Sequence, residues 1–291
     1  MGEMFAVLCA VAWSLAVILF RKSGQTVPPL AMNLFRVTVS SVVFLATLLV
    51  LQKPLLNQAP VGDYLILALS GVIAIAISDT LFHACLNRVG AGLNAIIDSL
   101  YAPSVVVSAW LLLGERISAW QLAGMVAIIS SVALATRVKL PPDLTRRELL
   151  SGIAFGVGAM ATLGLGIVIA KPVLERSDVL WATTVRQLSS LAVLLPAVLV
   201  NPGRGRLLGV FRPNRSWRYA VPGTLLGSYL ALLMWIAAFK LTAAGTAAIL
   251  NQTSTIFILV LASLLLKEPF TRRKALAAVL ALGGIALVVL S

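Results

Sequence analysis

The chain has 291 residues, 60% of them hydrophobic and only 11% charged, with a formal net charge of +13. Soluble domains run at about 45–50% apolar and about 25% charged, so this composition cannot coat a water-soluble fold of such length and points to lipid as the main solvent. The positive balance excludes nucleic-acid binding as a reading, because the basic residues sit in short gaps between apolar runs and not along one face.

In chain order, ten apolar runs emerge. The first, 3–20, has the length of a signal peptide but neither a basic leader nor a small-residue cleavage pattern before Arg21, and reads as a retained span. The others are 29–51, 62–83, 91–113, 118–136, 149–170, 178–200, 217–240, 244–266 and 271–290. Each approaches the length of about 20 residues that a helix needs to cross the hydrocarbon. No segments of about ten residues with alternating hydrophobicity suggest a β-barrel. Cys9 and Cys85 lie in or beside apolar runs and give neither a disulfide framework nor metal-ligand spacing, so no cofactor or metal is expected.

The second half echoes the first. At an offset of 153, Ala84 meets Ala237, Gly92 meets Gly245, Asp98 meets Asn251 and Glu115 meets Glu268. Earlier in the halves the offset is 150, where Arg21 meets Lys171 and Arg36 meets Arg186. The expected fold is therefore an all-α integral membrane protein of ten transmembrane helices, arranged as two five-helix repeats at 1–140 and 149–291. Five is odd, so the second repeat enters the membrane from the opposite side, giving an inverted pair of the kind that secondary transporters use.

Glu115 and Glu268 each occupy the tight turn before the last helix of a repeat, with Ser118 and Thr271 three residues on. The expectation is a capped helical hairpin, with the hydroxyl and the carboxylate both at the N-terminus of the helix that follows.

"LLLGERISAWQLAGMVAIISSVAL" and "LLLKEPFTRRKALAAVLALGGIAL" resemble the closing helices of the two EamA domains of the drug/metabolite transporter superfamily. "AVAWSLAVILFRKSG" resembles the opening helix of that family and "NLFRVTVSS" its second helix. The resemblance covers nearly the whole chain. It implies a ten-helix transporter working by alternating access, often exporting amino acids, nucleosides or other small metabolites. The second half departs from the pattern, with Leu163 and Gly164 where the first has Trp13 and Ser14, and Lys267 in place of a glycine.

Cytoplasmic loops carry an excess of Lys and Arg. Gaps after odd-numbered runs hold 16 basic residues, Arg137 and Lys139 among them, and gaps after even-numbered runs hold 5, Lys240 among them. Both termini are therefore expected outside the cytoplasm, in a multi-pass protein of the cytoplasmic membrane.

Ionisable residues inside a bilayer are costly and point to function. Arg36, Asp79 and Asp98 are candidates for an ion pair or gate, and Asp79, His83 and Asp98 for proton coupling. His83 stands where the third run ends, which favours an ordinary solvated histidine. Arg186 has no acid at comparable depth, leaving loop residues Glu175 or Asp178, water, or an anionic substrate group as its partner. Near the midplane, Trp13, Ser14, Tyr101, Tyr229 and Ser254, with Asn94, Trp235, Asn251 and Gln252 less centrally, are candidates to bind a solute. Pro103 is placed to kink the fourth run, and Gly152 and Gly156 to let helices cross closely.

A single histidine, no paired acids at helical spacing and no Walker A sequence argue against a membrane enzyme or an ATP-driven pump. The reading is a secondary transporter, an exporter of small polar metabolites such as amino acids, with a lipid or lipid-linked sugar flippase as the alternative. Its partners are a small-molecule substrate and membrane lipid, and the sequence sets no oligomeric state.

Overall fold

The computed structural model describes residues 1–136, 145–241 and 250–290, and of residues 239 and 240 the backbone only. Its long helices are α1 (Gly2–Ser23), α2 (Pro29–Val50), α3 (Val61–Val89), α4 (Ala91–Leu113), α5 (Ala119–Thr136), α6 (Arg146–Arg176), α7 (Val179–Leu199), α8 (Trp217–Ala238), α9 (Leu250–Leu266) and α10 (Arg272–Val289). Among the described residues, the first eight are long and apolar enough to cross a membrane, α9 is a shorter apolar helix, and α10 opens with Arg272, Arg273 and Lys274. The start of the run read at 244–266, Gly245, Arg137 and Lys139 lie outside the described residues.

Local chemistry sets the ends. Pro29 opens α2 at a position where the missing N–H costs nothing. Thr145 and Glu148 form a reciprocal capping box, with Glu148 N–H donating to Thr145 Oγ1 at 3.2 Å and Thr145 N–H to Glu148 Oε2 at 2.9 Å. That box starts α6 three residues before the apolar run. The helix then continues through Lys171 and Pro172 to Arg176, well past the run's end at 170. α3 likewise continues past the run's end at 83, through Asn87 and Arg88, to Val89 and stops at Gly90, whose φ of +83° disfavours a side chain. Gly114 and Lys267 occupy the same left-handed position at the ends of α4 and α9, with φ of +68° and +55°.

Both halves also break regularity at matching places. π-helical turns span Val72–Ile77 in α3 and Leu225–Ala231 in α8. In α4 a 3₁₀ turn, Asp98–Leu100, precedes Pro103, which has no N–H to offer the carbonyl of Ser99, and α9 carries a turn at Thr253. A five-residue helix, Arg204–Leu208, interrupts the basic linker before α8.

The main helix pairings correspond between the halves. α1 lies on α8 and α9 as α6 lies on α3 and α4, while α2 meets α7, α4 meets α9 and α5 meets α10. Glycines set the closest crossings. A Cβ on Gly124 would lie 2.5 Å from Gly284 O, and one on Gly284 2.7 Å from Gly124 O. Gly152 and Gly156 serve the α6 crossing in the same way, the latter facing Cys85 and Ile97. Gly124→Val is therefore expected to cost about 1–3 kcal/mol by overpacking, read as a lowered melting temperature of the purified protein in detergent.

Ion pairs tie the end of the bundle where α2 and α6 stop. Lys53 Nζ meets Asp178 at 2.5 Å and Arg176 meets Asp63 at 2.5 Å. Partial burial alone would raise the Asp178 carboxyl. The hydrogen bond from Lys53 and the N–H of Trp181 at 3.0 Å outweigh it and hold Asp178 below the ordinary aspartate value. A depressed folded-state value stabilises above the unfolded value of about 3.9 and is lost as pH falls through the folded value. Asp178→Asn keeps the helix cap. It should lower the melting temperature at pH 7 by the equivalent of less than about 1 kcal/mol after solvent screening, with the difference closing below about pH 4. A melting series from pH 7 to 3 checks this.

Candidate functional site

The polar residues of seven helices converge on a central cavity of about 230 Å³. Trp13 reaches it from the middle of α1, Arg36 from α2, Asp79 from α3, Asp98 and Tyr101 from α4, Arg186 and Gln187 from α7, and Trp235 from α8. Asn251, Gln252 and Ser254 flank the break in α9 and complete the lining, so the residues around the interrupted turns of both halves face the same space.

Its electrostatics are uneven. The Arg36 guanidinium is buried and donates from Nη2 to Asp79 Oδ2. Asp79 also lies within electrostatic reach of Arg186. Among the described residues Asp98 receives only long contacts from Asn94 Nδ2, at 3.4 Å to each oxygen. Among the described residues no carboxylate lies within ion-pair distance of Arg186, which is 5% exposed with a buried Nε lacking a hydrogen-bond partner. Gln187 Oε1, Ser228 Oγ and Asn251 Oδ1, all on lining residues, are buried without partners too. With Arg36 Nε and Arg186 Nε these make five of the eleven buried side-chain polar atoms that lack a partner among the described residues, and such atoms are rarely left unbonded, so a polar solute or water in this cavity could complete them.

Of the residues singled out from sequence, Trp13, Arg36, Asp79, Asp98, Tyr101, Arg186, Trp235, Asn251, Gln252 and Ser254 line this cavity. Four others stand elsewhere. Ser14 is buried beside it, donating to Ala10 O and Ser254 O at 2.5 and 3.2 Å. Asn94 is buried one turn from Asp98 in α4. Tyr229 turns away to Thr47 (2.7 Å between hydroxyls) and packs its ring on Phe44. His83 is no solvated helix-end residue, because α3 continues past it; it is 1% exposed with its ring edge-on to Phe20 and Phe82.

Two further expectations are corrected. Asp178 is occupied by Lys53 and the α7 N-terminus, so it does not serve Arg186. Ser118 and Thr271 do cap the helices after them, accepting from Gln121 N and Lys274 N at 3.1 and 3.3 Å. The carboxylate of Glu268 goes elsewhere, to the N-terminus of α4, accepting from Ala91 N at 2.8 Å and Gly92 N at 2.9 Å. Glu115 meets Lys171 at 3.1 Å, while residues 244 and 245, related to Ala91 and Gly92 by the repeat, lie outside the described residues. Sequence reasoning missed Gln187 and Ser228; Gln187 could have been found as the polar residue adjoining Arg186, whereas Ser228 gave no signal in an apolar run.

The fold and cavity define a multi-pass helical membrane protein with an internal cavity that charged and polar side chains reach. The chain belongs to the EamA-like transporter family of the drug/metabolite transporter superfamily, whose family model matches residues 1–137 and again 150–290. No curated protein matches it. A solved chain described only as "Crystal structure of protein" is similar in fold, with a TM-score of 0.66 at 16% identity over 98% of this chain and 95% of that one.

Proposed function

We propose that this protein is a secondary transporter that exports small polar metabolites, such as amino acids, across the cytoplasmic membrane. It works by alternating access, with ten transmembrane helices in two inverted five-helix repeats, 1–140 and 149–291, rocking about the central cavity. The observation that carries this reading is the set of orphaned polar atoms on Arg186, Gln187, Ser228 and Asn251 around a cavity that both halves line. Arg186 supplies an anion contact, Asp98 a cation contact, and Trp13, Tyr101 and Trp235 apolar walls. Asp79 and Asp98 are the candidates for proton coupling. His83, wedged between two phenylalanines, is a poorer one.

The basic end, where Arg21, Arg88 and the Arg204–Arg218 segment lie, is the cytoplasmic side on this reading, with both termini opposite. The direct test is transport into proteoliposomes of a panel of labelled amino acids and nucleosides, with and without a pH gradient. Accumulation of any of them carries the proposal. Folded protein that moves none of them shifts the reading to a lipid or lipid-linked sugar flippase. A reporter active only outside the cytoplasm, fused to the C-terminus, is expected to be active.

A further inference from the structure

We infer that Glu268 is a gate residue, whose carboxylate latches the basic end of the cavity shut by holding the N-terminus of α4. This rests on the alternating-access reading above. The latch joins the halves, since Glu268 stands in the α9–α10 turn while Ala91 and Gly92 open α4 in the first half. Two amide N–H groups at a helix N-terminus form a ready cradle for a carboxylate.

The backbone is shaped for it. Gly90 takes φ +83°, and a Cβ there would sit 2.7 Å from Glu268 Oε1. Arg21 Nε lies 3.9 Å from the same carboxylate oxygen, while Arg21 Nη1 donates to Asn87 O at 2.7 Å, drawing the ends of α1 and α3 into the cluster. Below the latch α4 and α9 form a continuous seam. Leu259 lies against Gly92, and Thr255 Oγ1 reaches Ala95 O at 3.5 Å, at the cavity edge. Phe20, Phe82, Leu86, Ile258 and Ala262 pack solidly around that seam.

The related turn is different. Glu115 and its partner Lys171 are 52% and 49% exposed, against 18% and 24% for Glu268 and Arg21. Both turn carboxylates meet the other half, but among the described residues Glu268 is largely buried on backbone amides and Glu115 is half in solvent, as expected of a protein closed at one end. Opening the basic end requires the Glu268 carboxylate to leave Ala91 and Gly92 and the seam to part.

The test uses the full chain with Cys9 and Cys85 replaced by alanine, the only cysteines it has, and Thr255→Cys as a probe at the cavity edge. A membrane-impermeant charged maleimide is applied to vesicles from the face that carries Arg21. Glu268→Ala is expected to raise the labelling rate from that face by roughly tenfold or more, the equilibrium weight of one hydrogen bond to a charged group. Glu115→Ala is expected to leave it unchanged. A rise under about twofold for Glu268→Ala, or an equal rise for Glu115→Ala, overturns the proposal. If Glu268→Ala does not fold, Glu268→Gln is read by hydrogen exchange, where faster exchange at Ala91 and Gly92 supports the latch and unchanged exchange refutes it. Neither readout needs a substrate, so failure here is separate from failure of the transport assay.

Discussion

Arg186→Gln is expected to lower transport in proteoliposomes by about 10- to 150-fold, the weight of one hydrogen bond between charged groups, while the protein remains folded. Arg186 is nearly fully buried and faces the cavity, and its Nε has no partner. A buried guanidinium with no carboxylate at ion-pair distance among the described residues is poorly compensated, and an anionic solute group is the partner that would complete it. Arg186→Lys keeps the charge but loses the two-pronged geometry and should recover only part of the rate. Unchanged transport by folded Arg186→Gln protein would remove this residue from the site.

Asp79→Asn carries the largest expected effect on stability. It strips the buried Arg36 guanidinium of its only ion-pair partner among the described residues and removes the negative charge within reach of Arg186. Breaking a buried pair on one side costs about 3–5 kcal/mol, read as a shift in the unfolding midpoint in detergent. The double replacement Arg36→Met with Asp79→Leu should cost less than Asp79→Asn alone, because it leaves no stranded charge. A loss under about 1 kcal/mol in the single variant would mean that the pair is water-accessible and stabilises as weakly as a surface bridge.

Much of this site is legible in the sequence because charge is so rare there. With 11% charged residues, an Arg or Asp inside an apolar run is conspicuous, and Arg36, Asp79, Asp98 and Arg186 all reach the cavity. Position along a run gives depth but not azimuth. Tyr229 is the more central of two aromatic residues in one run, yet it faces Thr47 and Phe44, while Trp235, six residues on, faces the cavity. The π turn at Leu225–Ala231 shifts the face on which later residues emerge, and hydropathy carries no mark of it. Helix ends are harder to read than helices. An apolar run stops where charge appears, whereas α3 continues as a helix through Asn87 and Arg88 and α6 through Lys171 and Pro172, so His83, at the end of its run, is not at the end of its helix. Helix hairpin turns were legible as turns, through glycine, hydroxyl and acid. The destination of the Glu268 side chain was not, because that contact spans 177 residues.

The two wide turns also fix how the chain tolerates a change in length. Each helical residue advances the azimuth by about 100°. A π turn holds one residue more than the α turn that covers the same rotation. Removing one residue from Val72–Ile77 would let that stretch relax into ordinary α-helix and leave Asp79, beyond it, facing the hollow. Removing one from Leu225–Ala231 would do the same for Trp235 in the other half. Single-codon deletions at these two places should therefore be far less damaging than those in α2 or α7, which hold no such turn and where each loss swings every later side chain to another face.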